Sequence, residues 1–375
     1  MGMTEIAPVS TWGLDTSVRS AGTATLHAVR AVSADETWTV GSVVDPDTGR
    51  LRALVGRWDG EFRLVRPADV PRNMDVSLFG LDRAGQHMWA VGAMSDGAGG
   101  GRARIERYSR KQPAGVAVPA PALDRNNALH GIDMLAPDEG WAVGGTGPRA
   151  GAEFTRPLIA RWDGTVWRAV PCPGPGSRAN RLNAVSARRG DDVWAVGHSS
   201  DADCDDRLDA LVLHWDGEVW ERVPVPALVG AGVELRAVAA LSRNSVWAVG
   251  TSTFPGRAHG TGLVLHWDGR TWRSLLRDPG HVTEVTGVAA LSETDVWFSA
   301  YAIPPGGTEN VHVAHFDGEC VRTEFDGPLA QGHVGSALNG ITALGDRVTA
   351  VGWRITTDTP FQLPAALLGC SSASA

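Results

Sequence analysis

The sequence is short of several things at once. Lysine occurs once, as Lys111, in 375 residues, and arginine supplies every other basic side chain. Basic residues number 34 against 42 acidic ones, for a formal net charge of −8. A chain that grips nucleic acid needs a basic excess or stripe to neutralise phosphate, so no nucleic-acid partner is expected. The four cysteines, Cys172, Cys204, Cys320 and Cys370, stand at unrelated offsets with no CxxC pair. Reduced thiols in a cytoplasmic protein are the expectation. No apolar run approaches the roughly 18 residues of a membrane span. The opening MGMTEIAPVSTWGLD lacks a basic stretch followed by an apolar core. Neither a membrane partner nor a signal peptide is therefore expected. No segment holds a helical period, and no P-loop or complete dinucleotide fingerprint lies between a strand and a helix.

Tryptophan, by contrast, is plentiful, with 15 copies. Six of them recur in a VWAVG-like motif: Trp38, Trp89, Trp141, Trp194, Trp247 and Trp297, at steps of 51, 52, 53, 53 and 50. A further step of 52 reaches Thr349 in VTAVG, the same motif without its tryptophan, so there are seven units. Each unit reads as an apolar strand, a polar turn, the VWAVG strand, a variable loop, a LVLHWDG strand and a short last strand. Alternating β-branched and aromatic residues bounded by Gly, Asp and Pro are strand signals, and Asp-Gly between two such runs marks a hairpin. Units of this period with four antiparallel strands are propeller blades.

The predicted fold is all-β: one seven-bladed propeller of four-stranded antiparallel blades over residues 1–375. The blades are placed at about 26–70, 76–122, 129–174, 182–227, 235–278, 285–327 and 338–375 plus 8–16. The last of these joins the two ends of the chain. Trp12 precedes Trp38 by 26 residues, as Trp220 precedes Trp247 by 27, while the seventh unit stops after three strands. An N-terminal strand completing the last blade would leave no sheet edge open between blades. The recurring Trp, Val and Gly are read as structural. The histidines His214, His266 and His315 are read the same way, because arginine replaces them in other units (Arg57, Arg107, Arg161).

Function is expected in the variable loops, which share one face of the ring, and so in a pocket at the mouth of the central channel. One column of the repeat, taken as His27, Ser77, His130, Asn183, Arg236, Thr286 and Asn339, reads as polar in all seven blades. Either it is a solvated rim or it is a ligand-binding ring. Glu234 and Glu284 precede the same strands and are expected near Arg236. His27, His130, Glu234 and Glu284 are the candidates for acid–base catalysis. Ser77, Asn183, Arg236, Thr286 and Asn339, with His281, His333, Tyr301, Trp353 and Arg354 from neighbouring segments, are the candidates for ligand binding. No cofactor is predicted. Two histidines with Glu234 or Glu284 would suit a divalent metal, although spacing cannot test ligands drawn from different blades.

The DVWAVG…HWDG…W pattern resembles the tryptophan-rich propeller repeats common in actinobacterial proteins, over nearly the whole chain. The resemblance implies the fold and little about function, because the shared residues are the structural ones. A sialidase Asp-box is absent, the period is too long for WD40 repeats, and the Gly-Gly doublet of kelch repeats occurs only once. What remains is a cytoplasmic, monomeric propeller binding a small molecule or peptide. It would be a cofactor-independent lyase, cyclase or isomerase of bacterial specialised metabolism, or alternatively a non-catalytic scaffold or lectin-like module.

Overall fold

The computed structural model describes the chain apart from residues 1–10, 16, 19–21, 98–99, 113, 124–125, 148–153, 176–177, 202–206, 227–231, 276–281, 305–306 and 371–375. Its 28 strands form seven four-stranded antiparallel sheets, with no helix among the described residues. Blade four shows the pattern: Ala179–Arg189 innermost, then Asp192–Ser200, Asp209–Trp215 and Trp220–Arg222. The other sheets that are continuous in sequence span 24–64, 75–118, 126–169, 232–274 and 282–327. The seventh joins His333–Leu344, Arg347–Thr356 and Thr359–Cys370 to Thr11–Leu14, where Trp12 pairs with Gly369 and Leu14 with Leu367. The N-terminal strand thus closes the ring.

Each tryptophan-bearing strand packs its indole onto the next blade. Trp141 lies 5.4 Å from both Trp215 and Trp220. Trp194 lies 5.7 Å from Trp267, and Trp297 lies 6.0 Å from Trp12. Tilted and edge-on ring pairs of this kind add to the burial of a large apolar area. The His/Arg column covers the other side of the same indole. His214 lies 4.4 Å from Trp194 and His266 4.5 Å from Trp247, while the Arg161 guanidinium is 5.1 Å from the Trp141 ring. Histidine and arginine interchange there because both present a flat, polarisable group to the indole face.

The glycine of the motif also has a steric cause. Every inner strand carries a bulge just after its Leu or Val, for instance between Leu182 and Ala184 and between Leu235 and Ala237. Opposite the bulge, a Cβ at Gly197 would overlap the Arg181 carbonyl oxygen. Blade six has Ala300 at this position, together with an additional register shift between Val282 and Glu284. A bulge leaves one residue unpaired and re-aims its side chain. Seven such residues ring the channel.

Candidate functional site at the channel mouth

The bulged residues are His27, Phe79, His130, Asn183, Arg236, Thr286 and Asn339. The blade-two member is therefore Phe79 and not Ser77, which corrects the polar-ring expectation. The bulge follows Leu78, and Ser77 lies two residues earlier, in regular pairing with Ala93. Ser77 belongs instead to a second column with Thr25, Ala128, Arg181, Glu234, Glu284 and Ala337. Across the inner sheet, these face Ser42, Ala93, Gly145, His198, Thr251, Tyr301 and Trp353.

The columns divide the mouth into two unlike arcs. Over blades one to three, Phe79 stands between two histidines, 5.4 Å from His27 and 5.1 Å from His130, and Phe154 lies 6.0 Å from His130. His27 Nε2 is 3.3 Å from Ser42 Oγ, whereas the buried Nε2 of His130 has no hydrogen-bond partner. Burial pushes the His27 imidazole down to about 4. Burial, then the charges of Arg181, His198 and Arg236, pushes His130 down to about 3. Both rings are neutral near pH 7 and too weakly basic for efficient proton abstraction, which favours a base whose pKa lies near the working pH.

Over blades four to six the wall is charged. Arg181 Nη2 donates to Glu234 Oε1 at 3.0 Å, and Arg236 Nη1 approaches the same oxygen at 2.9 Å. Arg236 then reaches the next blade, its Nε donating to Glu284 Oε1 at 2.6 Å. Tyr301 donates its hydroxyl to Glu284 Oε2 at 3.2 Å, and His198 Nδ1 lies 3.2 Å from Glu234 Oε1. Burial would raise the Glu234 carboxyl, but His198, Arg236 and Arg181 outweigh it and hold the group at about 2. Burial and then the Glu284 charge raise the Tyr301 phenol above its ordinary range. The expected meeting of Glu234, Glu284 and Arg236 is thus present, as a chain of charges across three blades.

Other candidates serve the ring itself. Asn183 Nδ2 donates to the Leu235 carbonyl at 2.7 Å, and Asn339 Nδ2 to the Leu26 carbonyl at 2.8 Å, each stapling its blade to the next. Thr286 donates back to Ser299 O at 3.0 Å. His333 Nε2 is 2.9 Å from the Glu309 carbonyl at the seam of blades six and seven. Trp353 pairs with Ala337 in the mouth column, whereas Arg354 pairs with Ser336 on the opposite face of the strand. His281 lies outside the described residues. Arg181, His198 and Phe79 were missed by the single-column reading; aligning the residue two before the bulge and the one after the motif glycine would have found the first two. No three His, Cys, Asp or Glu side chains among the described residues are grouped to hold a metal ion. Glu234 is held instead by His198 and two arginines.

No protein-family model and no curated protein sequence matches the chain. Solved structures do. The structure described as YCF48 bound to D1 peptide aligns over 98% of both chains, with 14% identity and a TM-score of 0.58. A polysaccharide lyase of family PL25, an ulvan lyase, aligns over 92% of this chain and 94% of its own, with 8% identity and a TM-score of 0.62. The propeller domain of the trilobed protease from Pyrococcus furiosus, described as having an open velcro topology, aligns over 94% and 96%, with 11% identity and a TM-score of 0.52. At such identities these likenesses establish the β-propeller fold and nothing finer.

Proposed function

We propose that the channel mouth binds a polar small molecule or peptide, held between the aromatic arc of blades one to three and the charged arc of blades four to six. The observation that carries this is the division of equivalent repeat positions into His27, Phe79 and His130 on one side and Arg181, Glu234, Arg236 and Glu284 on the other. The two columns thus give the mouth two chemically unlike walls, which suit one ligand with an apolar and a charged part. A same-fold structure carries a peptide and another an acidic disaccharide unit, which supports ligands of that size on such a scaffold. The reading is of a cytoplasmic, monomeric protein needing no cofactor, within the actinobacterial tryptophan-rich repeat group.

The test is to probe peptide and oligosaccharide arrays and to titrate the hits calorimetrically. Arg236→Lys keeps the charge but cannot clamp two carboxylates, and should weaken a true mouth ligand about tenfold or more. A hit whose affinity is unchanged by Arg236→Lys and by Trp353→Ala would place binding elsewhere and overturn the proposal.

Elimination or isomerisation chemistry is the second reading, and Tyr301 is what favours it. Tyr301 sets a hydroxyl in the mouth column 3.2 Å from Glu284 Oε2, a pair through which a proton would be handed to a leaving group. Turnover of an array hit that is lost in Tyr301→Phe while binding survives would establish this reading; binding without turnover would remove it.

A further inference from the structure

A cavity of about 500 Å³ lies between blades one and two, on the face of the ring opposite the channel mouth. It is formed where the sequence departs from its own repeat. Blades one, three, four, five and six turn their outer hairpin on Trp-Asp-Gly or Phe-Asp-Gly, as at Trp215–Gly217 and Phe316–Gly318. In blades three to six the aspartate caps the turn; Asp216 Oδ1 accepts from the backbone of Glu218 and Val219 at 2.8 and 2.9 Å. Blade two instead reads Tyr108-Ser109-Arg110-Lys111-Gln112 and sets two cations at the cavity.

The lining is unbalanced in charge. Its single carboxylate, Glu36, is buried and already engaged: Arg110 Nε donates to it at 2.8 Å and Trp38 Nε1 at 3.0 Å. Among the described residues Arg83 bonds only backbone carbonyls, of Gly85 at 2.9 Å and Val32 at 3.4 Å. Lys111, the one lysine of the chain, is exposed at the rim with no carboxylate partner among the described residues. His87 Nδ1, also in the lining, is buried without a hydrogen-bond partner. Two cations without a carboxylate partner among the described residues, side by side in a chain of net charge −8, suit an anionic occupant. Val32, Trp38 and Met88 form the apolar part of the wall, beside the neutral polar Ser33, Gln86 and Ser109.

We propose that this cavity is an anion site separate from the channel mouth. It takes a small organic phosphate or carboxylate, whose charged end meets Arg83, Arg110 and Lys111 and whose apolar part rests on Val32 and Met88. The lone lysine makes the test direct. The protein is acylated with an amine-reactive reagent, with and without phenyl phosphate, benzoate or inorganic phosphate at low ionic strength, and the modified residue is read by mass spectrometry. Saturable protection of Lys111, about fivefold or more, with the N-terminal amine unaffected, is expected from at least one anion. Phenyl phosphate and benzoate separate phosphate from carboxylate recognition, and inorganic phosphate shows whether the apolar wall contributes. Calorimetric affinity should fall about tenfold in Lys111→Gln and in Arg83→Gln, both exposed sites that leave the melting temperature unchanged, and persist in Arg236→Lys. Equal acylation of Lys111 with and without all three anions would overturn the proposal, as would protection that Arg83→Gln leaves intact.

Discussion

At the scale of single residues, the channel mouth shows how burial sets protonation. In the unfolded chain His27 and His130 take up a proton near 6.5; in the fold they resist it down to about 4 and about 3. As pH falls through this interval the unfolded chain binds more protons than the native one, so the contribution is intact above 6.5 and is lost progressively below it. By about pH 4.5 the loss should reach roughly 2–3 kcal/mol per histidine. His130→Phe keeps the ring contacts with Phe79 and Phe154 and should flatten the slope of denaturation midpoint against pH; a variant as acid-sensitive as the parent would refute this assignment. Arg236 offers the opposite case. Arg236→Met leaves the part-buried Glu284 without its ion-pair partner, while Glu234 keeps Arg181 and His198, and should cost roughly 1–3 kcal/mol. Adding Glu284→Gln should recover part of that, which a double-mutant cycle measures.

At the scale of elements, the blade seams are unequal. Six seams carry a motif tryptophan; the seam from blade seven to blade one has Thr349 in its place, and its buried core includes Leu26, Val29, Leu54 and Val351, with Trp58 and Phe62 packed against it only partly buried. Trp194→Ala, at an aromatic seam, should destabilise by about 3–5 kcal/mol through the cavity it leaves. Native-state hydrogen exchange should show the amides of Ala24–Ser33 and Arg347–Thr356 opening before those of Gly232–Ser242, because less apolar area locks that seam. Equal protection at all seams would contradict the account. The strands themselves were legible because a β-strand advertises its buried face every second residue. The bulged position was legible as well, in the Leu-x-Ala/Gly pattern of the inner strands; Ser77 stood where Phe79 belongs because blade two, Leu78-Phe79-Gly80, puts an aromatic residue where a polar one was sought.

At the scale of the whole molecule, closure depends on four residues. Thr11–Leu14 cover the edge of Thr359–Cys370, and Trp12 stacks near Trp297 and Phe325. Removing residues 1–16 exposes that edge and should lower the melting temperature and drive concentration-dependent association, visible by light scattering. A truncated chain as stable and monomeric as the parent would show that the ring does not rely on this strand.

The number of blades, the strand order within each and the exchange of the terminal strand were all determined by sequence alone. These follow from local periodicity and from the spacing of Trp12, Trp38 and their successors, and every copy of the repeat restates them. Only the tertiary structure decided which side chains meet. Arg181, Glu234, Arg236 and Glu284 come from three blades, and Arg110 reaches Glu36 across 74 residues. Such contacts depend on the aim of each bulged strand and on the turn between neighbouring blades, which are set when the ring closes and leave no period in the chain.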